Sequence, residues 1–328
     1  MGDDSGVTTP DGEELRNVAL VLGNGINRYA NPNGGNGWDD LLADTAAEAA
    51  QIPHIETDRI LSDNSVSYPE FYDTVQMRAI QHDEQFNYRM LKPRISSRIE
   101  QWQPNDCHER VVEHCRAHQI PVLTTNFDTL MARSSDSVQH HVAEVNRNRP
   151  KPKRQFPIKP QTGRFTDHYP WHCYYSDRNV ADATQEFGIW HIHGVHHYLR
   201  SLRLGLTDYI AMTDRAREWL HRSTGNPFNQ YNKYDEWCGR GSWLEIFLTK
   251  PLVIVGLAME SSEVGLRWLL IERRKLHRKR PELAQPFYFA TVRKMDAVRN
   301  GKQSLIESLG GSFIQYPSLE ALYEDAFA

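Results

Sequence analysis

An apolar run that stops abruptly in a glycine turn constrains this chain more than any other feature. Asn17 to Asn27 reads NVALVLGNGIN. Val18 to Leu22 is short, apolar and rich in branched side chains, the pattern of a buried strand. It ends in Gly23-Asn24-Gly25, where two glycines let the backbone turn sharply, expose its N–H groups and approach a ligand closely. Trp38 to Ala50 (WDDLLADTAAEAA) follows with helical character. Strand, glycine turn and helix in that order form the first βα unit of a nucleotide-binding sheet. A GxG without the third glycine of the dinucleotide fingerprint is also an ordinary turn, so the rest of the chain has to decide.

The rest alternates in the same way. Strands are expected at Val122–Thr124, within Phe187–Val195, at Pro251–Gly256, at Phe287–Val292 and at Phe313–Tyr316. Between them, Asn105–His118 carries Val111, Val112 and Cys115 at helical spacing behind an N-cap-like Asn-Asp. A turn and short helix are expected in Leu204–Met212. Further helices are expected in Tyr234–Lys250 (Trp243, Ile246 and Phe247 inward), from about Ser262 to Lys279, in Gln303–Leu309 and in Leu319–Phe327. This alternation predicts an α/β fold: a Rossmann-like, doubly wound, mostly parallel sheet with helical insertions. Residues 17–328 form one domain in this reading, and residues 1–16 a flexible tail that is free to touch a partner. A helical insertion is expected at about 51–103. In it Phe71, Val75, Ala79, Phe86 and Met90 fall on one core-facing stripe, with Met77 and Ile80 off it. A second, basic and proline-rich insertion loop is expected at about 135–186. Its centre, Asn146–Gln161, clusters five cationic side chains between Arg147 and Arg154. That is a solvated loop, or a contact for an acidic partner, a phosphate or a nucleic acid.

With 39% hydrophobic residues in 328, a substantial core is possible. No apolar run reaches membrane-spanning length and the acidic, polar start is unlike a signal peptide, so a soluble cytoplasmic protein without membrane contact is expected. The net charge of −4 argues against a general polyanion binder. The four cysteines, Cys107, Cys115, Cys173 and Cys238, include no CxxC pair, so no thiolate metal site is expected.

Unusual polar content gathers at the strand ends: GNGIN, TTNFD (Thr124–Asp128), HIHG (His191–Gly194) and VGLAMESSE, which begins at Val255. In a parallel sheet such ends share one edge, where ligands bind. Phe187–Val195 reads as a buried strand closed by glycine, and alternation along it puts His191 and His193 on one face and Trp190 and Ile192 on the other.

In this order the segments GNGIN, TTNFD, HIHG and VIVG (Val253–Gly256) resemble the sirtuin (silent information regulator) family, and most closely its bacterial sirtuin-like branch of antiphage defence effectors. GNGIN is similar to that family's GAGxS turn, Trp38-Asp39-Asp40-Leu41-Leu42 to the branch's Trp-x-x-Leu-Leu, TTNFD to Thr-x-Asn-x-Asp, and HIHG to the His-Gly of the catalytic base. The resemblance runs from about Asn17 to the end of the chain. It departs from the classical deacetylases in lacking their four-cysteine zinc module. Asn27 and Asn24 stand where GAGxS has serine and alanine. Gly256-Leu257-Ala258 lacks the serine of the later Gly-x-Ser, so in this resemblance a hydroxyl contact to the cofactor is either lost or moved to Ser261 or Ser262.

The resemblance implies that NAD⁺ is a substrate and that the link between ribose and nicotinamide is cut. His193 would be the general base, acting on water or a ribose hydroxyl. Asn126 would hold ribose hydroxyls or the attacking water, and Asp128 would read the carboxamide or support Asn126. Gly23, Asn24, Gly25, Asn27, Thr125, Gly256 and Glu260 would contact the dinucleotide, with no metal. It also implies a homo-oligomer, or a complex with a defence partner such as a HerA-like ATPase or a nucleic-acid-sensing protein. The basic loop near Arg147 and the helix end near Arg274 are the candidate contacts. Each residue also has a structural reading. Asn126 and Asp128 suit a helix cap, His193 a core histidine, Asp39 and Asp40 a first helical turn, and Glu260 and Glu263 a ribose contact or a helix start. Two rival functions remain: a silent nucleotide-binding scaffold, and a metal-dependent hydrolase using His191, His193, His196 and His197.

Overall fold

The computed structural model describes residues 6–29, 36–62, 65–142, 170–229, 233–260, 263–292 and 297–328. The chain opens with a small antiparallel hairpin of β1 (Val7–Thr8) and β2 (Glu14–Leu15). Eight further strands make one sheet. Across it lie β10 (Gly311–Gln315), β9 (Phe287–Thr291), β8 (Leu252–Val255), β3 (Ala19–Leu22), β4 (Val122–Thr124), β7 (Ile189–His191), β6 (Cys173–Ser176) and β5 (Val138–His141). Every neighbouring pair from β10 to β7 is parallel, and β6 and β5 are added antiparallel at the edge. Counted in chain order, the six parallel strands lie 3-2-1-4-5-6, an order compatible with a Rossmann-like α/β sheet. The order reverses between β3 and β8.

Both faces of the sheet are covered, which is why its central strands read as unbroken apolar runs. Along β3, Ala19 and Val21 join a core with Trp190, Ile254 and the helices Leu206–His221, Trp243–Thr249 and Val264–Lys279. Leu20 and Leu22 join the opposite core with Val111, Val112 and Cys115 of the Asp106–Ala117 helix. The latter helix starts where the sequence places it. Asn105 accepts the His108 amide, and His108 Nδ1 accepts the Asn105 amide in return, a capping box built with an imidazole.

The helices Trp38–Ala50, His54–Ser62, Tyr68–His82 and Leu91–Glu100 form a third core around Leu41, Phe71 and Ile95. That core reaches Phe127, Leu202 and Leu204, so the helical insertion sits over the carboxyl ends of the strands. The expected stripe is interrupted. Phe71, Val75 and Ala79 are buried and Met77 and Ile80 exposed, but the helix ends at His82, so Phe86 is buried from a following loop and Met90 is exposed.

Other expectations are corrected. Within the stretch read as a flexible tail, residues 6–16 carry the β1–β2 hairpin, with Val7 and Leu15 buried and Thr8 accepting the Tyr316 hydroxyl. The stretch read as one insertion loop at about 135–186 contains β5 and β6. Its basic centre, including Arg147, lies outside the described residues. The strand expected in Phe187–Val195 is only Ile189–His191, and the short helix expected near Leu204 runs for 16 residues. Among the described residues no helix is long and apolar enough to cross a membrane.

Candidate functional site

The strand-order reversal opens a crevice at the carboxyl edge. It holds about 950 Å³, including space open to solvent. Three glycines shape its floor. Gly256, after β8, has φ +65°, and a Cβ there would lie 2.4 Å from the Tyr323 hydroxyl. A Cβ on Gly25 would lie 2.6 Å from the Gly256 Cα, and one on Gly23 2.5 Å from the Gly256 carbonyl oxygen. The β3 and β8 loops thus pack backbone to backbone. This corrects one expectation: the Gly23 amide donates to the Val255 carbonyl and the Gly25 amide to the Gly256 carbonyl, both at 2.9 Å. Those two N–H groups join the loops to each other and are not displayed to a phosphate.

The floor is braced from behind. Asn27 Nδ2 donates to Asn24 Oδ1 at 2.6 Å and to Asp128 Oδ2 at 2.9 Å, and Asn27 Oδ1 lies 2.7 Å from His108 Nε2. Because His108 Nδ1 accepts the Asn105 amide, a neutral His108 carries its proton on Nε2 and donates it to Asn27. Asn24 Nδ2 donates to the Asn36 carbonyl. Every amide atom of Asn27 is therefore engaged, and its side chain is fully buried. The Asp128 Oδ1 accepts the Leu130 amide. Asn27 and Asp128, expected at the ligand, lie behind the crevice floor rather than in its lining, and Asp128 accepts from Asn27.

Thr124 turns the chain after β4. Its Oγ1 donates to the Leu22 carbonyl and accepts the Asn126 amide. Thr125 and Phe127 then line the crevice. Between them, buried Asn126 donates Nδ2 to the Gly23 carbonyl at 3.3 Å, while its Oδ1 has no partner. After β7 the chain turns instead of continuing extended. Gly194 sits at φ +95° against the Ser201 carbonyl, where a Cβ would not fit. The two histidines of HIHG consequently part company. His191 is tied by Nδ1 to the Asn126 carbonyl at 3.0 Å, and His193 lines the crevice with a buried, unpartnered Nε2.

The walls add Trp38 and Asp39, from the segment similar to Trp-x-x-Leu-Leu, and other residues that no sequence motif marked. Trp38 and Asp39 begin one helix, and Tyr68 and Tyr72 stand one turn apart on another; Arg28, Arg203 and Tyr209 complete that side. Tyr68 donates to Asp39 at 2.7 Å, and the His193 and Tyr209 rings meet edge to face at 5.3 Å. The i, i+4 tyrosine pair was the available signal, but an aromatic pair at that spacing also reads as core. From β8, Glu260 lines the crevice and pairs with Lys302 at 2.9 Å. Glu263 also lines it; burial pushes its carboxyl up to about 7 and its Oε2 has no partner. Ser261 and Ser262 lie outside the described residues.

No family model, curated protein or solved structure matches the chain.

Electrostatically the crevice is mixed: cationic Arg28 and Arg203, anionic Asp39 and Glu260, and Glu263 poised between forms. Burial, with the Arg203 charge second, lowers His193 to about 3. It is therefore neutral at physiological pH. His191 is held by a carbonyl and His197 by the Tyr175 hydroxyl, and among the described residues no three His, Cys, Asp or Glu side chains converge as a metal site.

These imidazoles make the fold acid-sensitive. Burial lowers His108, His191, His197 and His277 to about 4, and also lowers His114 and His196. Between their folded values and the unfolded value near 6.5, the unfolded chain binds more protons, so stability falls as pH falls. The raised carboxyls of Asp73, Asp128 and Glu263 act in the opposite sense, but are outnumbered. Tm is expected to drop steadily from pH 7 to pH 5, and a thermal melt series giving a flat or rising Tm would contradict the neutral-imidazole assignment.

Proposed function

We propose that the chain is an NAD⁺ glycohydrolase of the sirtuin-like kind, which uses water to cut the nicotinamide–ribose bond. What supports this reading is one juxtaposition. His193 and the residues flanking Asn126 open into the same crevice as the glycine floor of β3 and β8, although these segments are far apart in sequence. The 3-2-1-4-5-6 strand order supports the finer assignment to a Rossmann-like, doubly wound fold, whose ligands lie across the reversal point.

In the reaction, water bonds to C1′ of the nicotinamide ribose while the C–N glycosidic bond breaks and its electron pair neutralises the pyridinium. The products are ADP-ribose, nicotinamide and a proton. The leaving group already carries positive charge, so the barrier lies in stabilising an oxocarbenium-like centre and in aiming the water. Neutral His193 Nε2 accepts the water's proton. Such a centre is electrophilic enough for a weak base to suffice. The free Asn126 Oδ1 accepts from a ribose hydroxyl or from the water, held in place by the Asn126 bond to Gly23. Tyr68, Tyr72, Trp38 and Phe127 shield the site from bulk water.

The deciding experiment is incubation of purified protein with NAD⁺, followed by product identification. Nicotinamide and ADP-ribose in equal amounts are expected, unaffected by a chelator. Chelator-sensitive turnover without nicotinamide would establish the metal reading, and tight binding without turnover the scaffold. Assembly as a homo-oligomer, or with a HerA-like ATPase or nucleic-acid sensor in antiphage defence, belongs to the same proposal.

A further inference from the structure

A second notch lies at the opposite edge of the sheet, independent of the crevice and of the function proposed for it. Arg273, Arg274, His277 and Arg278 line it from the Val264–Lys279 helix, and the amino ends of β9 and β10 supply the facing wall; it holds about 780 Å³, including space open to solvent. Residues one turn apart share a helix face. Arg273 and His277 form the buried floor and Arg274 and Arg278 the exposed rim.

The notch is cationic without a matching acid. Arg273 is 1% exposed and donates only to carbonyls, those of Phe247, Lys250, Gln285 and Pro286, while its Nε has no partner. Carboxylates that flank the notch residues in sequence are engaged elsewhere: Glu272 with His221 and Lys275, Glu282 with Arg280, and Glu307 with Gln303. Among the described residues neither Arg274 nor Arg278 pairs with a carboxylate, and no acidic residue lines the notch. Cations at a helix C-terminus complement the helix dipole, which accounts for rim arginines. It does not account for a guanidinium buried without a counter-charge, an arrangement that an anion would relieve.

We propose that this notch binds a small phosphate-bearing anion, with Arg274 and Arg278 as its direct ligands and Arg273 as the fixed charge behind them. Paired guanidinium forks match phosphate oxygens better than any other side chain. A nucleic-acid tract fits less well. The feature is a concave notch rather than a stripe, its one aromatic wall residue, Phe287, is 2% exposed and offers no stacking face, and the chain carries a net charge of −4.

The test is calorimetric titration of the full chain with tripolyphosphate at two salt concentrations. The variants are Arg274→Gln, Arg278→Gln, the double variant and Arg274→Lys/Arg278→Lys, with exposed Arg217→Gln as control. Saturable one-to-one binding is expected. It should weaken at least tenfold in the double glutamine variant and less in the lysine variant, and stay unchanged in the control. Each single glutamine variant should weaken binding by threefold or more, which serves if the double variant does not fold. Absence of saturable binding, wild-type affinity in the glutamine variants, or binding to an oligonucleotide but not to tripolyphosphate would each overturn the assignment.

Discussion

Alanine in place of His193 is expected to slow nicotinamide release from NAD⁺ by about 10²–10⁴-fold, the usual contribution of a positioned general base. The loss should fall on kcat, with KM within a few-fold. The imidazole would act on the developing transition state, and its Nε2 has no hydrogen-bond partner among the described residues. The fold should survive, because no hydrogen bond of the described residues depends on that nitrogen. His193→Gln is the sharper variant. It keeps a polar side chain of similar reach, but it cannot accept a proton at neutral pH. If glutamine restores binding but not turnover, the role is proton transfer; if alanine turns over at the wild-type rate, His193 leaves the mechanism. His191→Ala is not equivalent. His191 is held to the Asn126 carbonyl, so its loss acts through the position of Asn126.

The part of this site legible in the sequence is the part made by single segments. PLVIVG announces β8 because a strand covered on both faces is apolar at every position. GNGIN announces a close approach, and the close approach that the structure shows is the one to Gly256. Alternation misplaces the HIHG pair because it assumes an extended chain where β7 ends at His191 and a turn follows, closed by the Gly194 amide on the His191 carbonyl. The helical period similarly carries the Phe71 stripe past Asp83, where the helix has already ended. The roles of Asn27 and Asp128 depend on a contact between residues 101 positions apart. Arg203 and Tyr209 enter the crevice from a segment with no motif of its own. Two-residue strands such as β1 and β2 are too short for any period to register.

Asn27 carries the largest expected effect on stability. Asn27→Ala removes both donors from Asn24 and Asp128 and the acceptor from His108 at once. A buried partner left unpaired costs about 1–3 kcal/mol, and more when charged, so a loss of about 2–5 kcal/mol is expected. At about 2–4 °C per kcal/mol, Tm should fall by about 5–15 °C. Asn27→Asp distinguishes a hydrogen-bond hub from mere packing. The shape is almost unchanged, yet a second carboxylate now faces Asp128, which burial already pushes toward its protonated form. One proton shared between the two carboxyls replaces the lost amide donor. Its affinity is raised above that of the unfolded chain, so the variant regains stability as pH falls, opposite to the trend expected of the wild type. Thermal melts of the two proteins from pH 8 to pH 5 should therefore converge. Parallel curves, or an Asn27→Asp protein as stable as wild type at pH 8, would mean that the buried network does not hold the glycine floor in place.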